Sequence, residues 1–409
     1  MRNSFRFAAG MTALLMLAGG AAAQTSQKIR IGVLNDMSGP FADLSGKNSV
    51  VAAQMAAEDF AKEAGPNAPA VEILGADHQN KADVGLGIVR KWIEQDNVAA
   101  VVDVPNSAVA LAVNSLLKEK DRAFLASSTA TSDLTGKQCA PTTVQWTFDT
   151  WALANGTARA LVKSGGDTWY FISSDYAFGK QLEDDATRVV KAMGGTVAGT
   201  SRTPLNTPDY SSALLQAQNS RAKIIGLANA GADTTTSIKQ AAEFGIGADG
   251  KQRLAGLLVF LTDVDSMGLD SAKGLLLTEA FYWDLNDSTR AWSKRFAERA
   301  GGRMPTMNHA GVYSSVLAYL RAAKGLTGWS GAPSGSAVVA RMTEAPINDT
   351  LFGPTTIRKD GRAVHDMYLF QVKTPAESKG RWDYYKVAAT IPAADAFRPL
   401  KDGGCPLVQ

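Results

Sequence analysis

The sequence predicts an α/β protein of two doubly wound parallel-sheet lobes joined by hinge strands. Three observations carry that expectation. Short β-branched runs alternate with amphipathic stretches along most of the chain. The alternation breaks off near residues 127–143 and restarts. Finally, 409 residues exceed what one hydrophobic core organises. Strands that alternate with helices form parallel sheets covered on both faces.

In chain order, residues 29–34 read as a strand and 46–62 as a helix, with Val50, Ala53, Ala57 and Phe60 at helical spacing. Strand 70–74, helix 82–95, strand 98–104, helix 108–120 and strand 123–126 continue the first unit. The second reads as strand 144–148, helix 150–163, strand 169–172, helix 178–193, strand 195–199, helix 209–218, strand 223–227, helix 234–244 and strand 254–260. Strand 275–280 leads to helical patterns at 288–300 and 309–324, then a Gly-, Ser- and Pro-rich surface loop at 325–335. Short strands and a helix follow. Such a late return of the chain supplies further hinge strands. The expected boundaries are 27–147 plus 281–350 for lobe 1, 148–280 plus 351–395 for lobe 2, and 396–409 for a C-terminal tail.

The first residues set the compartment. Arg2 and Arg6 precede an apolar run at 11–18 and the small residues Ala21-Ala22-Ala23, the pattern of a cleavable secretory signal over residues 1–23. The run falls short of the roughly 20 apolar residues that cross a bilayer. No cysteine stands near the cleavage point, which argues against a lipid anchor. The expected location is the periplasm. In that oxidising compartment the two cysteines, Cys139 and Cys405, read as one disulfide. Their neighbours, Gly136-Lys137-Gln138 and Gly403-Gly404, suggest exposed positions. Formal net charge is +3 and the Lys and Arg residues are dispersed, which excludes nucleic acid and anionic membranes as partners.

The catalytic inventory is thin. His78, His309 and His365 are scattered, with no paired metal ligands at helical spacing. No G-x-S-x-G or P-loop motif occurs. One G-x-G-x-x-G match, residues 245–250, follows a helix and precedes a strand, the reverse of a dinucleotide site, so Gly245 reads as a helix cap. The sequence therefore calls for no enzyme, no metal and no cofactor.

Hydroxyl residues at strand ends are more informative. Strand 98–104 runs into Pro105-Asn106-Ser107 with Ser107 as the expected N-cap, and strand 123–126 runs into Ser127-Ser128-Thr129. Ligands of open α/β sheets bind outside the carboxyl ends of the strands, where helix N-termini present free N–H groups. Such groups hold an anion without a buried cation. Aromatic residues offer a second clue: Phe41 follows the first strand, and Tyr282-Trp283 follow strand 275–280 near the second passage between lobes.

With these residues in hand, the chain resembles the branched-chain amino-acid binding proteins of ABC importers, the type I periplasmic binding proteins. The similar stretches, in order, are strand 29–34 with Met37-Ser38-Gly39-Pro40, Pro105-Asn106-Ser107, residues 127–136, Asp175-Tyr176-Ala177-Phe178-Gly179, and residues 281–285 with Pro305-Thr306-Met307. The resemblance implies two lobes closing on a small ligand, permease subunits as partners, and a monomer. It implies that Ser107 and the Ser128-Thr129-Ala130 segment hold the ligand carboxylate, that Leu44 takes an aromatic contact's place, and that Asp263 meets a ligand ammonium. Tyr176 and Tyr282 complete the expected set. Leu44 and Asp263 depart from the family's usual residues and leave an aliphatic amino acid and an aromatic carboxylate both open as ligand. A ligand sensor built on the same lobes is the alternative to an importer component.

Overall fold

The computed structural model describes residue 1 and residues 28–66, 68–247, 250–326 and 332–408; the expected leader, apart from Met1, and part of the 325–335 loop lie outside these. The first unit runs β1 (Lys28–Asn35), α1 (Asn48–Ala64), β2 (Ala70–Asp77), α2 (Ala82–Glu94), β3 (Ala100–Asp103), α3 (Ser107–Glu119), β4 (Ala123–Ala126) and β5 (Thr143–Gln145). Its five strands are parallel in the order β2-β1-β3-β4-β5. Strand order reverses between β1 and β3, and that is where an open α/β sheet leaves a crevice.

The second unit runs α4 (Thr150–Lys163), β6 (Thr168–Ser174), α5 (Ala177–Ala192), β7 (Thr196–Thr203), α6 (Ser211–Asn219), β8 (Ile224–Ala228), α7 (Ala232–Glu243) and β9 (Arg253–Gly256). It forms a parallel sheet in the order β7-β6-β8-β9, reversing between β6 and β8. The fold class is the doubly wound, two-lobed arrangement that the alternation implies.

Several elements differ from expectation. The strand expected to open the second sheet, β5, instead closes the first, pairing with β4. The strand expected over 254–260 stops at Gly256, and α8 (Leu261–Met267) begins after Phe260. α9 (Leu269–Ala272) then leads to β10 (Leu276–Glu279).

The return of the chain builds on both units. After α10 (Asp287–Arg299), helix α11 (Met307–Lys324) packs on α1, β3 and β4, and α12 (Gly335–Met342) packs on β4. Strands β11 (Ile347–Asp349), β12 (Gly353–Ile357) and β13 (Ala363–Val364) form a small antiparallel sheet. β14 (Met367–Val372) and β15 (Tyr385–Ile391) make an antiparallel sheet with β10, against the second unit. Buried Arg362 bridges the units: its guanidinium donates to the Phe148 carbonyl at 2.9 Å, and its backbone pairs with Gln145.

Cys139 and Cys405 are bonded, with their Cα atoms 5.6 Å apart. Both are buried, contrary to the exposure their polar neighbours suggest. The tail folds over the turn at 132–136, where Arg398 donates to the Ser132 carbonyl at 2.9 Å. Gly245 closes α7 with φ 69°, its N–H donating to Ala242, so the glycine-rich match is a helix terminator.

Candidate ligand-binding site

The carboxyl ends of β1, β3 and β4 face those of β6, β8 and β9 across a narrow cavity of about 10 Å³. Each wall is built by loops that the switch points throw out. After β1, Asp36 accepts the N–H groups of Gly39 (2.7 Å) and Phe41 (2.9 Å), and Asn35 Oδ1 accepts from Ser45 Oγ (2.9 Å). This loop carries Phe41 and Leu44 into the cavity lining. It also touches the other lobe, for the Ala232 N–H donates to the Pro40 carbonyl at 3.3 Å. The cleft is therefore closed.

The end of β3 is strained. Asp103 and Val104 take φ values of 87° and 58°, a region that a β-branched residue rarely adopts. The strain persists because the surroundings over-determine it. Asn35 Nδ2 and the Ser128 hydroxyl donate to the Asp103 carboxylate, Ser127 Oγ adds a bond at 3.4 Å, and Thr129 Oγ1 donates to the Val104 carbonyl at 2.6 Å. Burial pushes the Asp103 pKa up to about 6. The turn it enforces aims Pro105, Asn106 and Ser107.

Asn106, not Ser107, caps α3, accepting from the N–H groups of Ala108 (3.0 Å) and Val109 (3.2 Å). The cap moves by one residue because Asn is as good a cap as Ser and stands in extended backbone. Ser107 is thereby released: its oxygen accepts from the Thr131 N–H at 3.3 Å, and its hydrogen has no acceptor among the described residues. Nor do the N–H groups of Thr129 and Ala130.

Of the expected residues, Leu44, Ser128 and Tyr176 line the cavity together. Ser107, Ser127 and Thr129 are buried and are not among the lining residues: Ser127 and Thr129 bond to the Asp103–Val104 turn, and Ser107 accepts the Thr131 N–H. Tyr282 is not among the lining residues: it packs in the second hydrophobic core, 5.0 Å from the Tyr385 ring, and its hydroxyl donates to the Trp382 carbonyl at 3.0 Å. Asp263 sits in the first turn of α8 and accepts the Phe260 N–H at 2.8 Å. Burial, together with the charge of Asp43 from the other lobe, lifts its pKa to about 7.

The rest of the wall escaped sequence reasoning. Phe178 stacks near Tyr176, ring centres 5.9 Å apart, and Phe260 closes the second-lobe side with Leu258. Both follow strand ends, the signal that could have found them. Asn308 of α11 joins Ser128 and Tyr176 as the lining residues with polar side-chain atoms, and no sequence feature marks it. No cationic side chain lines the cavity, and no cluster of potential metal ligands occurs among the described residues.

Residues 28–381 match the family model described as periplasmic binding protein. Over 71% of this chain and 73% of the relative, the sequence is 25% identical to Leu/Ile/Val-binding protein homolog 6 of Brucella melitensis. Among solved structures, it is similar to a periplasmic binding protein from Burkholderia mallei, at 42% identity and TM-score 0.88, covering 94% of this chain and 100% of the other. A branched chain amino acid ABC transporter periplasmic ligand-binding protein from Burkholderia xenovorans LB400 follows at 37% identity and TM-score 0.81, covering 93% and 100%. A solute binding protein from R. palustris, solved in complex with 4-hydroxybenzoate, shares the fold at 22% identity and TM-score 0.77, covering 90% and 97%.

Proposed function

The chain belongs to the periplasmic binding protein family and is the periplasmic substrate-binding component of an ABC importer, not an enzyme; we propose that its ligand is a small carboxylic acid with an aromatic body. One observation carries this reading: a cavity walled by Phe41, Tyr176, Phe178 and Phe260 from both lobes, with Ser128, Ala130 and Asn308 on the first-lobe side. The ligand carboxylate accepts from the Ser107 hydroxyl and from the N–H groups of Thr129 and Ala130, at the start of α3. Neutral donors suffice because the helix N-terminus is positive. Ser128 and the Thr129 hydroxyl act indirectly, holding the Asp103–Val104 turn. The lobes, taken as 27–147 plus 281–350 and 148–280 plus 351–395, close over the ring, and the closed monomer docks on the permease.

The buried acid Asp263 beside Phe260 favours a second reading, an amino acid whose ammonium it pairs with on closure. Calorimetry with benzoate-type acids and with phenylalanine separates the two. Under the first reading Asp263→Ala leaves aromatic-acid binding unchanged. Under the second it weakens phenylalanine binding by about 2–5 kcal/mol, the scale for breaking a buried charge pair. In either case Ser107→Ala weakens binding roughly 10- to 100-fold, one hydrogen bond to a charged group. An unchanged dissociation constant in Ser107→Ala sinks the carboxylate assignment.

A further inference from the structure

The Asn308 side chain is fully buried, lines the cavity, and has no hydrogen-bond partner among the described residues for either its Nδ2 or its Oδ1. Buried amides are almost always satisfied, and each orphaned group costs free energy. The residue is not loosely held. On one side, Thr306 donates its hydroxyl to the Leu44 carbonyl at 2.7 Å. On the other, His309 Nε2 lies 2.8 Å from the Ser45 carbonyl, while its Nδ1 accepts the Thr306 N–H at 3.0 Å. Both flanking residues thus clamp the start of α11 to the loop that carries Phe41 and Leu44. One turn on, Gly311 brings the helix against Ser127, so Asn308 stands on the same wall as the proposed carboxylate site.

Resting on the reading of this cavity as the ligand site, we propose that Asn308 selects ligands bearing a hydroxyl on the aromatic body, which accepts from Nδ2 or donates to Oδ1. The orphaned amide is the feature such a group completes. An unsubstituted ring leaves it buried and unpaired, and a site built to bond a hydroxyl rejects the analogue that lacks it. Ser128 cannot take this role as a donor, because its hydrogen is given to Asp103.

The test is calorimetry with benzoate, 3-hydroxybenzoate and 4-hydroxybenzoate, and with phenylalanine against tyrosine, on the wild type, Asn308→Leu and Asn308→Ala. The wild type is expected to prefer a hydroxylated ligand over its parent roughly 10- to 100-fold, the equivalent of one or two buried hydrogen bonds. The preference should fall to near one in both variants, because the hydroxylated acid loses its partner. A preference that survives in whichever variant folds overturns the proposal. So does a wild type that binds parent and hydroxylated acids equally, a result that leaves the carboxylate reading standing. If no acid of either kind binds, both readings fall, and retained binding of the parents in the variants separates loss of hydroxyl recognition from damage to the carboxylate site.

Discussion

Asp263 is buried in the first turn of α8. Its carboxylate caps α8 at Phe260, and burial raises its pKa to about 7 from an ordinary 3.8. The folded protein therefore holds this proton more tightly than the unfolded chain does. The associated stability is full below about pH 4 and is lost as pH rises through 7. A tenfold difference in proton affinity between the folded and unfolded chain corresponds to about 1.4 kcal/mol, so the loss is on the order of a few kcal/mol. Asp103 and Asp233, both raised to about 6 by burial, tilt the profile the same way. Asp263→Asn keeps an oxygen for the Phe260 N–H and removes the charge. Urea unfolding at pH 5 and pH 8 should show a smaller difference in the variant than in the wild type, with the variant more stable at pH 8. An identical difference in both proteins would mean that this carboxyl ionises normally.

At the scale of elements, what was legible follows from periodicity. Helix 150–163 and strand 123–126 come out of the sequence with the bounds the structure has, because their apolar spacing is clean and their ends are marked. Helix α8 was not legible, since Leu257 to Leu261 forms an unbroken apolar run that fits a buried strand equally well. Asn308 was hidden for a related reason: almost all of α11 is buried, so no polar face exists against which an inward amide would stand out. The hydroxyls at 107 and 127–129 were visible because strand ends are where ligands bind, but their division between turn-holding and donating depends on Asp103, which a sequence does not show. The close seat of α11 yields a direct expectation. A Cβ at Gly311 would lie 2.0 Å from Thr147 Oγ1 and 3.2 Å from Ser127 Cβ. Gly311→Ala must push the helix away, with a cost of about 1–3 kcal/mol for overpacking and a loss of ligand affinity. Circular dichroism in urea and calorimetry read the two effects. Full stability with unchanged affinity would show that the wall yields without consequence.

Across the whole molecule, the disulfide and the cleft address different states of the chain. Cys139 and Cys405 are 266 residues apart, so the bond closes a loop that contains the entire second sheet. In the chain-entropy account, closing so long a loop removes freedom chiefly from the unfolded ensemble, worth roughly 5 kcal/mol before any strain. In the folded protein the bond joins the tail to the turn after residues 132–135, and Arg398 already holds the tail there through the Ser132 carbonyl and, by its own carbonyl, through Arg358 at 2.9 Å. Neither the bridge at Gln145–Arg362 nor the contact of Ala232 with Pro40 passes through it. Removing the bond should therefore lower stability without altering closure. The Cys139→Ser/Cys405→Ser double variant is expected to lose roughly 2–5 kcal/mol of unfolding free energy. Its dissociation constant should stay within about twofold of the wild type, since twofold is only about 0.4 kcal/mol. Denaturation and calorimetry on the same preparation measure both. Equal stability of the two proteins would refute the loop-closure account, whereas a large loss of affinity would place the disulfide inside the closing mechanism.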